Sequence, residues 1–278
     1  MEEKCVNLSN CKMYYWQGRF DGRRKTLLLV HGFRGDHNGL RFIAEGLEEK
    51  FNVIVPDLPG FGKSSEFESG KHDLNAYVDA LREFIEELKL KQKPLMVAHS
   101  FGTIVTSKLA YEAPDVMGEK VVLICPIATK ALTGRIVKLG DRIVGLTGKM
   151  PDKLGKKMTG SKLVADLVSL KMTKTKDKEL KRRVKEEHRR YFGGFATNKS
   201  MIEGMRAANS GSVGMFAREI DKEILVIATE LDDLTSVESQ KRLVKKFTNA
   251  RIEVVDETGH LVHYERPEEV ARLVKEFM

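Results

Sequence analysis

The chain has few cysteines and no long apolar run, and both shortages narrow what it can be. Cys5, Cys11 and Cys125 are the only cysteines in 278 residues. They are odd in number and form no CxxC pair, which argues against a disulfide framework or a zinc cluster and leaves three reduced thiols as the expectation. No eighteen uncharged apolar residues run together, and the start, MEEKCVNLSNCK, carries acidic residues where a secretory leader would carry basic ones. The expectation is a cytoplasmic protein without a membrane span. HxH and HExxH spacings are absent, so metal chemistry has no sequence support. Internal repeats and low-complexity linkers are absent as well.

What is present is an alternation of short apolar runs with longer amphipathic stretches. TLLLVH (26–31), FNVIVP (51–56), PLMVA (94–98) and VVLIC (121–125) are continuous rather than alternating, as strands buried on both faces must be. LNAYVDALREFIEELKL (74–90) carries Tyr77, Leu81, Phe84, Ile85 and Leu88 on one helical face, and TIVTSKLAYEA (103–113) is read the same way with Ile104 and Tyr111. Residues 3–17 suit an antiparallel hairpin at the sheet edge. After Cys125 the alternation stops, resuming with EILVIA (223–228), RIEVV (251–255) and a helix opening at Pro267. Residues 128–218 contain no strand-like run. GRIVKLGDRIVGL (134–146) and KDKELKRRVKEEHRRYF (176–192) have helical spacing with narrow apolar stripes.

Charge is uneven. The net charge is +8, yet Lys130 to Lys222 holds 23 Lys/Arg against 10 Asp/Glu, while the remainder holds 25 against 30. The basic segment has no aromatic-interleaved or recognised nucleic-acid pattern, which argues against such a partner. Three readings of it stay open: a solvated helical exterior, attraction of anionic substrates, and peripheral contact with an anionic membrane through the basic helices.

A polar residue at a strand-to-helix junction needs a reason, and AHSFG (98–102) supplies one in Ser100. A serine held on a tight turn above the end of a sheet is open to attack chemistry. Such a turn demands small residues two before and two after, here Ala98 and Gly102. The amide of Phe101 then stands at a helix N-terminus, suited to a negative oxygen.

Small-x-Ser-x-Gly between strand and helix resembles the nucleophile elbow of the α/β-hydrolase superfamily, with Ala98 in place of the usual first glycine. HGFRG (31–35) resembles that family's oxyanion loop, which implies the Phe33 amide as the second oxyanion donor. PDLPGFGKS (56–64) is similar to the loop after the next strand. ILVIATELDDLTS resembles the segment presenting the acid, with Asp232 at the matching position and Thr229 where a glycine is common. ETGHLVHYERPEEVARLVKEFM is similar to the family's C-terminal end, with His260 after a glycine. The order Ser, Asp, His is the one this fold uses.

The resemblance implies an α/β fold: a mostly parallel eight-stranded sheet flanked by helices, with a helical cap inserted after strand 121–125. It further implies core residues 1–127 and 219–278, cap residues 128–218, and no cofactor. His99 and His263 remain as other bases, Asp233 as another acid, and Asp57 as a structural residue closing its loop. Arg34 is a candidate for a substrate carboxylate, or an exposed loop arginine. The implied activity is cleavage of a small-molecule carboxylic ester, with a small or medium acyl group, through a serine acyl-enzyme. A carbon–carbon bond hydrolase acting on a vinylogous diketone and a non-catalytic ligand-binding protein are the alternatives. Serine rather than aspartate at the elbow disfavours dehalogenase and epoxide-hydrolase chemistry.

Overall fold

A computed structural model describes residues 1–129 and 150–278. Eight strands form one sheet: β1 (Glu2–Asn7), β2 (Lys12–Gln17), β3 (Thr26–Val30), β4 (Asn52–Pro56), β5 (Leu95–His99), β6 (Lys120–Ile124), β7 (Glu223–Thr229) and β8 (Ala250–Val255). Their order across the sheet is β1-β2-β4-β3-β5-β6-β7-β8. The β1–β2 and β2–β4 pairs are antiparallel and all others parallel. The expected edge hairpin is therefore β1–β2.

The central strands read as unbroken apolar runs because each face meets its own helical layer. Leu28 and Val30 of β3 belong to one core cluster, and Leu27 and Leu29 belong to the other. The first cluster is covered by α2 (Leu74–Glu87) and α3 (Phe101–Glu112), the second by α1 (His37–Leu47) and a C-terminal helix, Pro267–Phe277. That helix and α1 approach so closely that a Cβ on Gly46 would lie 2.8 Å from that of Ala271. Complete burial of Leu27 to Val30 is worth about 2 kcal/mol per side chain in transfer free energy.

α2 buries Tyr77, Leu81, Phe84 and Ile85 on one face as its spacing predicts, and Asp73 caps it by accepting from the Ala76 amide. α3 departs from expectation. It is buried nearly all round, through Ile104, Val105, Thr106, Ser107, Leu109 and Ala110, whereas Tyr111 is 42 % exposed. A helix enclosed between β-sheet and neighbouring helices has no solvent face to keep polar, so the single-stripe reading fails there.

Between β6 and β7 the described residues hold α4 (Asp152–Thr159), α5 (Lys162–Met172), α6 (Lys178–Tyr191) and α7 (Asn198–Ser210). Ser161, Asp177 and Thr197 cap α5, α6 and α7. Of the two segments read as helical from their spacing, 176–192 contains α6, and 134–146 lies outside the described residues. These helices are tied to the core by the loop after β4. The Gly62 amide donates to Gly194 O at 2.5 Å, and that of Ala196 to Gly60 O at 2.8 Å. A short helix α8 (Val237–Val244) follows β7, then a single turn α9 (Val262–Glu265) and α10, the C-terminal helix just described. Among the described residues no helix is long and apolar enough to cross a membrane.

Candidate active site

β5 ends at His99, and the chain turns into α3 through Ser100, whose φ of 51° and ψ of −118° lie in a region non-glycine residues rarely adopt. Such a conformation costs on the order of 1–3 kcal/mol and persists because its surroundings over-determine it. The Ser100 amide donates to Ile124 O at 3.1 Å, pinning the turn to β6. On the other flank, a Cβ at Gly102 would meet Val30 O at 2.5 Å and His31 O at 2.7 Å, so only glycine lets the helix start this close to β3. Ala98 is wholly buried, and its methyl group is accommodated in place of the usual glycine.

Three chain-distant side chains meet at this rim. Ser100 Oγ and His260 Nε2 are 2.8 Å apart, and His260 Nδ1 lies 2.8 Å from Asp232 Oδ2. An ionised carboxylate can only accept, so Nδ1 carries the proton and Nε2 is left as an acceptor for the serine hydroxyl. Asp232 is anchored in turn, its Oδ1 accepting from the amides of Leu234 at 2.8 Å and Thr235 at 3.2 Å. Burial pushes this carboxyl up, but the His260 hydrogen bond and the two amides outweigh it and hold it below the ordinary aspartate value. Asp233, the competing acid, points away to an ion pair with Lys174.

The other sequence candidates fall as follows. Phe33 and Phe101 both line a cavity of about 350 Å³ above Ser100. A Cβ on Gly32 would stand 3.0 Å from Ser100 Cβ, so the Phe33 loop passes directly beside the serine. His99 is buried and its Nε2 meets His260 O at 3.1 Å. Burial, then the neighbouring His260, lower its pKa to about 3, which keeps the ring neutral. His263 is buried as well, its ring 4.3 Å from that of His99. Asp57 closes its loop: Oδ1 accepts from the His37 amide at 2.7 Å and Oδ2 from that of Lys63 at 2.8 Å. Arg34 is not an exposed loop arginine. It lines the cavity, is half-buried, lies 4.1 Å over the Phe192 ring and donates from Nη2 to Thr159 O.

Sequence reasoning missed His31 and His188. His31 braces the loop that carries Phe33, Nδ1–H donating to Gly32 O at 2.8 Å and Nε2 accepting from the Leu58 amide at 2.9 Å; its position in HGFRG was the available signal. His188 reaches the cavity from α6, and nothing in KEEHRRYF distinguishes it from the surrounding charges. Donor atoms of His99, Cys125 and His260 lie within 4.8 Å of one another, the spacing a metal ion would need. The atoms are engaged otherwise. Both His260 nitrogens serve Ser100 and Asp232, and burial pushes the Cys125 thiol well above its ordinary value, against the thiolate a metal needs.

Comparison with known proteins bears on the family and the fold. The chain is 25% identical over 268 residues to the uncharacterized hydrolase YugF of Bacillus subtilis (strain 168), covering 95% of this chain and 93% of that protein. It is 24% identical to monoacylglycerol lipase ABHD6 of Rattus norvegicus, covering 95% and 78%. Its fold is similar to that of the enol-lactonase from Burkholderia xenovorans LB400, with a TM-score of 0.83, 18% identity and 99% of each chain covered. The model described as "Alpha/beta hydrolase family" matches residues 27–273, and this chain belongs to that family.

Proposed function

We propose that the protein is a serine hydrolase cleaving a small-molecule carboxylic ester through an acyl-enzyme. The observation that carries this reading is the relay of two 2.8 Å contacts through His260, from the Ser100 hydroxyl to the Asp232 carboxylate. His260 Nε2 takes the hydroxyl proton as Ser100 Oγ bonds to the ester carbonyl carbon. The imidazolium then returns that proton to the leaving alcohol as the C–O bond breaks. Water enters, gives its proton to His260 and its oxygen to the acyl carbon, and the serine recovers its proton. Asp232 keeps the ring in the acting tautomer and stabilises the imidazolium.

The amides of Phe33 and Phe101 are assigned to the tetrahedral oxyanion, each worth about 3 kcal/mol in the transition state. Ile127, Val168 and Met172 are among the apolar residues lining the cavity, which has room for a small or medium acyl group. Residues 128–218 serve as the cap, and no cofactor is required by this chemistry.

A fluorophosphonate probe tests the reading: covalent labelling is expected in the wild type and lost in Ser100→Ala. A panel of p-nitrophenyl esters beside a ring-cleavage dienoate then tests the bond cleaved. Turnover of the dienoate alone would transfer the assignment to carbon–carbon hydrolysis, and absence of labelling would end the serine mechanism.

A further inference from the structure

The lining of the cavity carries more polar groups than acyl transfer uses. From His260 a chain of rings runs outward: His99 at 5.1 Å, His263 at 4.3 Å from His99, Tyr264 at 4.4 Å from His263, and His188 at 5.5 Å from Tyr264. Phe192 lies 5.4 Å beyond His188, and the Arg34 guanidinium covers it at 4.1 Å.

The far end of this chain of rings is electrically unbalanced. Among the described residues no carboxylate lies within ion-pairing distance of Arg34, and its Nε is buried without a hydrogen-bond partner. Burial lowers its pKa to about 10, still far above neutrality, so a full positive charge stands in a poorly hydrated place. Asp36 lines the same cavity, but its two oxygens accept from the amide and side chain of Asn38 at 2.9 and 3.3 Å. His188 and His263 are 5% and 7% exposed, and no hydrogen bond among the described residues satisfies either ring. Burial, then the Arg34 charge, lower the His188 pKa to about 4, and burial lowers that of His263 well below its ordinary value, so each neutral ring keeps one N–H to donate and one nitrogen to accept.

A cation with no ion-pair partner among the described residues, near a neutral His188 ring that can donate one N–H, is complementary to an anion with acceptor oxygens. We infer that the substrate is an ester bearing a carboxylate, and that Arg34 receives this carboxylate at the cap end of the cavity while the ester carbonyl lies at Ser100. The inference rests on the serine-hydrolase reading for the ester, whereas the anion site stands on Arg34 and its surroundings. Cation–π contact with Phe192 and the bond to Thr159 O hold the guanidinium in place before substrate arrives.

The test compares kcat/KM for monophenyl succinate, glutarate, adipate and suberate with phenyl esters of the monocarboxylic acids of equal length. At least one diacid half-ester is expected to exceed its neutral counterpart tenfold. Arg34→Gln is expected to bring that selectivity ratio down to near one, because the carboxylate loses its partner. An unchanged ratio, with both classes slowed alike, would make Arg34 a clamp between core and cap and overturn the inference. Should Arg34→Gln fail to fold, the wild-type ratio decides, since a ratio near one also overturns it. Binding is read separately on Ser100→Ala, where monomethyl adipate should raise Tm and methyl hexanoate should not. Intact fluorophosphonate labelling without diacid preference or binding sinks this inference alone. Loss of labelling with a retained adipate shift sinks the hydrolase reading and leaves the anion site.

Discussion

The two ends of the cavity are built on different foundations. At one end Ser100, Asp232 and His260 follow β5, β7 and β8, in a sheet whose central strands are buried on both faces. At the other, His188 and Met172 come from α6 and α5, helices that bury little. α6 buries only Val184, Glu187 and His188, and α5 only Ala165 and Ser169. Leu163, Leu167 and Leu170 of α5 are 69, 59 and 81% exposed. A rigid foundation suits groups that must keep hydrogen-bond distance through a reaction. A lightly packed one suits groups that choose among ligands, because changes there disturb little else.

The contrast is broken most severely at the strand end. Asp232→Asn should lower kcat by about 10³ to 10⁴-fold, because an amide can hold the imidazole in the wrong tautomer, while Asp233→Asn should change it less than threefold. Ester hydrolysis by the two purified variants checks this, and equal losses would reverse the choice between the two acids.

Acid stability separates the ends by a smaller amount. His188 has a folded pKa of about 4, below the ordinary 6.5, so its stabilising contribution is complete above about 6.5 and lost as pH falls toward 4. Between pH 7.5 and 4.5 this one ring should cost roughly 2 to 3 kcal/mol. Urea melts at the two pH values should show His188→Gln losing less stability than wild type by that amount. The remaining slope belongs partly to His99, whose pKa of about 3 places its loss at lower pH. An unchanged slope would remove His188 from the buried set.

The smallest effect is expected on the outer face of α5. Leu163→Ser, Leu167→Ser and Leu170→Ser should each shift stability by no more than about 0.5 kcal/mol, since these side chains gain little burial on folding. Differential scanning calorimetry on each variant decides it, and a loss above 2 kcal/mol would mean the face is covered in solution.

Much of the strand end was legible in advance. Continuous runs such as TLLLVH announce burial on both faces, and AHSFG announces a turn whose small residues have no other purpose than close approach. Asp232 was preferred to Asp233 only by its match to the family's acid position, because neighbouring residues in a loop differ in direction, not in pattern; in the structure it is Asp232 that meets His260 and accepts from the amides of Leu234 and Thr235. α3 was misread because periodicity reports a solvent face, and this helix has almost none. His188 was invisible for a related reason: within a run of charges, a single buried ring leaves no periodic trace.

The sequence alone determined the alternation of strands and helices and the small residues of the elbow, since each is a local requirement of backbone geometry or burial; the chain order Ser, Asp, His came only from the family resemblance. Only the tertiary structure decided which carboxylate meets His260, and that Arg34, near His188, has no ion-pair partner among the described residues. Those are relations between residues more than a hundred positions apart in the latter case, and the distance between such groups is set by how layers pack, which no local pattern records.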